Sequence, residues 1–159
     1  MNIQTGQPAP DFTLFDTTKS EVTLSQQKGS NVILLFFPLA FTSVCTAELC
    51  SVRDNLSKYD ALNAKVFGIS IDSLYTLAQF KKDQSLNFSL LSDFNKEVSK
   101  AYDALYEQFG FGMKGVSKRA AFVIDASGVV QYKEVLENAS LQPDFNKLEE
   151  VLNGLAASA

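Results

Sequence analysis

One stretch, Asn31 to Arg53 (NVILLFFPLAFTSVCTAELCSVR), constrains this chain more than any other. Residues Asn31 to Phe37 read as a strand that is apolar on both faces. Such a strand belongs in the middle of a sheet that is covered on two sides. Pro38 interrupts it, a short loop follows, and a helix opens around Thr42 and Ser43. Cys45 falls in the first turn of that helix, with Cys50 five residues further on. The chain has no histidine. A Ser–His or Cys–His nucleophile pair is therefore excluded. So is a histidine-ligated zinc or haem, and two cysteines do not make a four-cysteine metal site. A carboxylate-bound magnesium or calcium stays open, but no EF-hand or P-loop pattern is present. The thiol at the start of this helix is the best candidate for chemistry.

The charge balance narrows the partners. The formal net charge is −4 and the sequence pI about 4.8, and only Arg53 and Arg119 among the 14 basic residues are arginines. That is not the basic footprint of a nucleic-acid binder. The N-terminal MNIQTGQPAP has neither a basic nor an apolar signal region, so no signal peptide is expected. The longest apolar run, Val32 to Phe41, contains a proline and is too short to span a bilayer. No nucleic acid, no membrane and a cytoplasmic location are the expectations. Two cysteines in a cytosolic chain point to reactive thiols rather than a disulfide scaffold.

At 159 residues the chain has the length of one ordinary domain, and a single domain over 1–159 is expected. Pro10 to Phe15 and Lys19 to Leu24 alternate around a DTT turn and predict a small β-hairpin. The helix from about Ser43 to Asn63 carries Val44, Leu49, Val52, Leu56, Tyr59 and Leu62 at helical spacing. Lys65 to Ile71 reads as a second buried strand. Asp72 or Ser73 then caps a helix with Leu74, Leu77, Ala78 and Phe80 on its apolar side. Phe88 to Leu91 is a short strand. Ser92 or Asp93 caps a helix carrying Phe94, Val98, Ala101, Tyr102 and Leu105. Tyr106 to Ser117, rich in glycine and aromatics, is a loop. Arg119 to Asp125 and Val129 to Val135 form an antiparallel pair, and Pro143 at a helix N1 position opens the last helix. This order predicts an α/β fold with a mixed central sheet flanked by helices and an N-terminal β-hairpin, compatible with a thioredoxin-like fold.

Thiolate is the nucleophilic form of cysteine. The first turn of a helix offers Cys45 unpaired N–H groups and the positive end of the helix dipole. A guanidinium from elsewhere in the fold would add a full charge, and Arg119 at a strand start is the candidate. The Thr42 hydroxyl lies three residues back, within reach of the sulfur or of a bound oxygen. Against this stands the plainer reading of Cys45 as a small buried hydrophobe, with Cys50 as packing.

Pro38-Leu-Ala-Phe-Thr42-Ser-Val-Cys45 matches PxxxTxxC, the active-site pattern of the peroxiredoxins, placed between a buried strand and a helix. The segment Phe36 to Cys50 resembles the bacterioferritin-comigratory-protein/PrxQ and AhpE-like branches. The likeness extends to GQPAPDFTL, to LLSDFNKEVSKAY and to Arg119 before AFVID. It implies a thioredoxin fold and reduction of hydrogen peroxide and organic hydroperoxides without a prosthetic group. Cys45 would be the peroxidatic thiolate. Thr42, Arg119 and the Cys45 N–H would hold the peroxide oxygens, and Pro38 would shape the loop and shield the sulfur. Glu48 would orient Arg119, its alternative being a solvated helix position. Arg53 is more simply a surface arginine.

The resemblance further implies that Cys50 resolves the Cys45 sulfenic acid as an intramolecular disulfide. A thioredoxin- or glutaredoxin-like reductant, or a low-molecular-weight thiol, would then reopen it. Five helical residues separate the two Cα atoms by roughly 8–9 Å and turn them about 140° apart. That exceeds the ~7 Å limit for a disulfide, so such a bond requires the helix start to unwind. PLAFT is closer to the AhpE-like pattern, which keeps a one-cysteine cycle open. A thiol–disulfide oxidoreductase is a second reading, against which CxxxxC is not CxxC. A redox-sensing or holdase role is a third, with the Phe109 to Met113 loop as association surface or as buried packing. A homodimer is compatible with the resemblance alone.

Overall fold

The structure, a computed structural model, describes residues 3–158. The first half contains β1 (Thr13–Asp16), β2 (Glu21–Thr23), β3 (Asn31–Phe36), α1 (Ser43–Asp54), α2 (Leu56–Ala61) and β4 (Ala64–Ser70). The second half contains α3 (Leu74–Asp83), β5 (Ser89–Ser92), α4 (Glu97–Ala101), β6 (Arg119–Ile124), β7 (Val130–Leu136) and α5 (Phe145–Ser158). Seven strands make one mixed sheet in the order β2-β1-β5-β4-β3-β6-β7. Strand β3 lies inside it, parallel to β4 and antiparallel to β6, with every residue buried.

Alternation along β3 divides the core in two. Ile33, Leu35 and Phe37 pack with Leu49 of α1, Tyr59 of α2, Phe80 of α3 and Leu148 of α5. Val32, Leu34 and Phe36 face the other way, toward Val98, Tyr102 and Phe122. The two-sided apolar pattern of the sequence is thus used on both sides. The expected hairpin forms as β1 and β2, and its turn is held by Asp16, whose Oδ1 accepts from Thr18 N at 2.8 Å and Ser20 N at 3.1 Å. Among the described residues no helix is long and apolar enough to cross a membrane.

Three elements differ from expectation. The helix expected to run unbroken to Asn63 divides at Asn55, whose side-chain amide donates to Ser51 O at 2.8 Å. Asparagine competes in this way for helix carbonyls and disfavours continuation. The helix after β5 begins only at Glu97, because the buried Asp93 carboxylate accepts from Val98 N and Ser99 N. Phe94 therefore lies outside the helix and is 64% exposed. Pro143 is not at N1 of α5; Asp144 caps that helix by accepting from Lys147 N at 3.2 Å, which leaves the proline one residue outside.

Gly68 of β4 shows how closely the α1 face is packed. A methyl group there would lie 2.7 Å from Leu90 Cδ2 and 3.3 Å from Phe37 Cε1, both on fully buried side chains. Overpacking of this kind costs about 1–3 kcal/mol. That outweighs the ~0.4–1 kcal/mol that alanine gains by restricting the unfolded chain. Gly68→Ala is expected to lower the urea midpoint of the reduced protein by the equivalent of about 1–2 kcal/mol. An unchanged midpoint would mean that Leu90 swings aside freely.

Candidate active site

Sheet register places the site. The Phe36–Ala120 pairing between β3 and β6 sets Arg119 at the point where β3 gives way to the Pro38 loop. Arg119 shares the face of Ala121 and Val123, which pack against α1. A slip of one residue would send the guanidinium to the opposite face.

The loop from Pro38 to Thr42 is held from the end of β4. Asp72 Oδ2 accepts from Ala40 N at 2.9 Å and from Ser70 Oγ at 2.7 Å. Phe41 takes a positive φ of 70°, a costly conformation for a bulky side chain, and its ring lies 5.1 Å from that of Phe80. Thr42 stands at the N-cap of α1 with extended dihedrals, but its hydroxyl donates to Leu39 O at 2.8 Å and does not cap the helix. The first turn of α1, containing Cys45, thus presents N–H groups that the cap side chain does not take.

Arg119 is 1% exposed, and its donors are engaged on three sides. Nη2 donates to Cys45 Sγ at 3.3 Å and Nη1 to Glu48 Oε1 at 2.8 Å. Nε and Nη2 both donate to Ala139 O, at 3.1 and 2.9 Å. A buried charge needs such partners, because an unpaired one is not tolerated in low dielectric. Burial acts to lower the Arg119 pKa, and the charges of Glu48 and Cys45 with their hydrogen bonds more than reverse it, so the net shift is upward. At Glu48 the balance is the other way. Burial raises its carboxyl to about 7 against the pull of Arg119. Arginine stays charged throughout, so Glu48 is the member of the pair that titrates. Its Oε2 is buried and has no hydrogen-bond partner among the described residues.

Above this cluster lies a pocket of about 230 Å³. Pro38, Val44 and Phe109 supply apolar wall, and Thr42, Arg119 and Ala139 are among the other lining residues. Cys45 is fully buried, and Arg119 joins it to the pocket by touching both. A larger cleft of about 390 Å³ around Asp11, Lys28 and Asp125 includes neither cysteine nor Arg119.

The structure brings Cys45, Glu48 and Arg119 into direct contact and sets Pro38 and Thr42 on the same pocket. Glu48 is a buried ion-pair partner and not a solvated helix position. Cys50 is a free, half-buried thiol on another side of α1, and its Sγ donates to Gln84 Oε1 at 3.5 Å. Arg53 points the same way as Cys50 and not toward the pocket; its Nη1 donates to Gln84 O at 2.5 Å. Three contributors escape sequence reasoning. Ala139 acts only through its carbonyl, which no side-chain pattern reveals. Phe109 lines the pocket from the glycine-rich loop. Asp72 reads as a cap candidate, but Ser73 takes the cap by accepting from Thr76 N at 3.1 Å, and Asp72 braces the Pro38 loop.

The pattern of the AhpC/TSA family matches residues 5–133. The chain is 38% identical to alkyl hydroperoxide reductase E of Mycobacterium tuberculosis, over 84% of this chain and 86% of the relative. It is 37% identical to the chloroplastic peroxiredoxin Q of Oryza sativa subsp. japonica, over 89% of this chain and 62% of that protein. Among solved structures, peroxidoxin BcpB of Mycobacterium tuberculosis superposes with a TM-score of 0.85 at 28% identity, covering 97% of this chain and 99% of that one. The reduced 2-Cys peroxiredoxin of Plasmodium vivax gives 0.84 at 30% identity, covering 98% and 83%. The sheet and its helices are those of the thioredoxin-like fold that these structures share. A thiol held by a buried arginine at a helix start, on this fold and with these relatives, leaves one assignment: the chain belongs to the AhpC/TSA family and is a peroxiredoxin, a thiol-dependent peroxidase.

Proposed function

We propose that Cys45 is the peroxidatic thiol of a two-cysteine cycle. The observation that carries this is the 3.3 Å donation from Arg119 Nη2 to Cys45 Sγ, with the same guanidinium fixed by Glu48 and Ala139. The Cys45 thiolate attacks one peroxide oxygen, the O–O bond breaks, and the sulfur becomes a sulfenic acid. The other oxygen leaves as an alkoxide or hydroxide and takes up a proton. Arg119 and the helix-start N–H groups stabilise the charge moving onto it. The Thr42 hydroxyl spends its own proton on Leu39 O, so its oxygen serves as an acceptor for the peroxide O–H rather than as a donor to sulfur. The apolar wall of Pro38, Val44 and Phe109 suits the carbon chain of an organic hydroperoxide as well as hydrogen peroxide.

Cys50 then resolves the sulfenic acid after the first turns of α1 unwind, and a thioredoxin- or glutaredoxin-like protein, or a small thiol, reduces the disulfide. A one-cysteine cycle is the second reading. It is favoured by Cys50 being bound to Gln84 on a different side of the helix from the pocket. The protein is proposed to act as one domain, in the cytoplasm.

Intact mass after one equivalent of hydrogen peroxide separates the two cycles. Loss of two hydrogens in the wild type, with a persistent, dimedone-trappable oxygen adduct in Cys50→Ser, is the expected result. The same trappable adduct persisting in the wild type would assign resolution to an external thiol. Arg119→Lys keeps the charge but loses the forked geometry. Its rate of peroxide reduction, measured in competition with horseradish peroxidase, is expected to fall by about 10²-fold or more. An unchanged rate would remove Arg119 from the site.

Glu48 gives a pH dependence of stability. Its carboxyl titrates at 4.5 without perturbation and at about 7 when buried. A raised folded-state value stabilises the fold fully below the unfolded value and loses that contribution as pH rises through the folded value. Glutamine does not ionise. The urea midpoint of Glu48→Gln, relative to reduced wild type, is therefore expected to improve from pH 4.5 to about pH 7 and to level off above it. A difference constant over that range would show that the buried carboxyl does not titrate there.

A further inference from the structure

The second half of α1 is clamped to the end of α3. Cys50 Sγ donates to the side-chain oxygen of Gln84 at 3.5 Å, and Arg53, one turn later, donates to the backbone oxygen of the same residue at 2.5 Å. Asn87 Nδ2 completes the junction by donating to Arg53 O at 3.2 Å. Gln84 is itself fixed as the C-cap of α3, its N–H bonded to Phe80 O and Lys82 O. The first turn of α1 is not joined to α3 and is not capped by Thr42; among the described residues its side-chain tie to another element is the single Arg119–Cys45 contact. When the helix start unwinds, the Cys50 end is the one that is held.

We propose that Gln84 is a positioning residue for the resolving step, its side-chain amide holding the Cys50 sulfur in place and supporting it as a thiolate while it attacks the Cys45 sulfenic acid. This rests on the reading of Cys50 as the resolving thiol. In the step, the Cys50 thiolate forms an S–S bond with the Cys45 sulfur and the S–O bond breaks. Hydroxide leaves and is protonated to water. Cys50 is oxidised, and the oxidising equivalent is the one delivered by the peroxide.

An amide suits both charge states of the sulfur. Its oxygen accepts from the thiol, and after rotation its NH₂ donates to the thiolate. A carboxylate at the same place accepts only, and its charge opposes a neighbouring anion. The other ionic groups at the junction are few. On α1 they are Arg53 and Asp54, which pair at 2.9 Å. The hydrogen bond to Asp54 raises Arg53 above its ordinary pKa, burial opposes this, and the charges of Cys50 and Asp54 add to it. On α3, Lys81 and Lys82 stand in the last turn, and Asp83 accepts from Gln79 Nε2 at 2.7 Å.

The test is a single turnover with one equivalent of hydrogen peroxide, acid-quenched at intervals and read by intact mass, from pH 5.5 to 9. The proteins are the wild type, Gln84→Glu, Gln84→Met and Cys50→Ser. Expected for Gln84→Glu is an unchanged rate of sulfenic acid formation with about tenfold slower disulfide formation at pH 7. Its disulfide pH profile should be displaced upward by about one unit. Gln84→Met, neutral and of similar length, keeps the test decisive if the carboxylate does not fold. It should slow the disulfide step alone, by about threefold or more. Slowing of both variants by equal factors with no displacement of the pH profile would reduce Gln84 to packing and overturn the proposal. Unchanged disulfide formation in either folded variant would also overturn it. Failure of the wild type to form any disulfide, with Cys50→Ser indistinguishable from it, would instead overturn the two-cysteine reading and the role of Gln84 with it.

Discussion

The buried guanidinium of Arg119 is the interaction on which the rest of this structure depends. A cation that is 1% exposed survives only if its partners supply what water no longer does. Here β6 provides the residue, α1 provides the Glu48 carboxylate and the Cys45 sulfur, and the segment after β7 provides the Ala139 carbonyl. The partners come from two elements besides the strand that carries the arginine, so satisfying the charge also fixes how those elements meet. A buried ion pair is weak evidence for net stability, since replacing it with apolar residues often costs nothing. Its retention here is explained by what else the guanidinium touches, the sulfur and the pocket.

Helix α1 is held unequally along its length. Its N-terminal end is tied by the sulfur–Arg119 contact and, through the preceding loop, by Asp72 on Ala40 N, while Phe41 occupies an unfavourable φ in between. Its middle is tied to α3 through Gln84. The break at Asn55 separates it from α2 and confines any rearrangement to about three turns. An unwinding that begins at Thr42 gives up a strained residue, an uncapped first turn and the one Arg119–Cys45 bond. One that begins at Arg53 would give up the two bonds to Gln84 and the one from Asn87. The geometry thus sets a direction for the movement that a Cys45–Cys50 bond requires.

Much of this was legible in the sequence, for identifiable reasons. The six apolar residues from Val32 to Phe37 announce a strand covered on both faces because period-two alternation is absent, and that is what β3 is. Pro38, Thr42, Cys45 and Arg119 are legible because their spacing and their places at element ends are local properties. What was not legible depends on competition between nearly equal local choices. Asp144 takes the start of α5 from Pro143, Asp93 reaches forward to the N–H groups of Val98 and Ser99, and Asn55 cuts a helix whose apolar period continues through it. Phe94 fits the apolar period and is nevertheless exposed. Ala139 and Gln84 are invisible for another reason. One contributes a backbone oxygen and the other an ordinary surface-type amide, and only the chain's path brings either to a sulfur or to its arginine.

The placement of charge and nucleophile on different kinds of element follows from what the reaction asks of each. Transition-state charge is best met by groups that do not reorganise, and Arg119 stands on a central strand whose register with β3 is fixed by two-sided burial. In the proposed two-cysteine cycle the thiol first sits against that charge and then, once oxidised, reaches a second sulfur at a distance that a rigid helix forbids. A helix N-terminus serves both needs, because it offers N–H groups while folded and is the part of a helix that opens first. With the arginine on the sheet and the cysteine on the helix start, an oxidised sulfur would, in that cycle, leave without carrying the guanidinium out of its partners. Glu48, one turn beyond Cys45 on the same helix, meets Arg119 through a single oxygen, and its other oxygen is unpartnered among the described residues. That contact is the one that unwinding past the first turn would strain next.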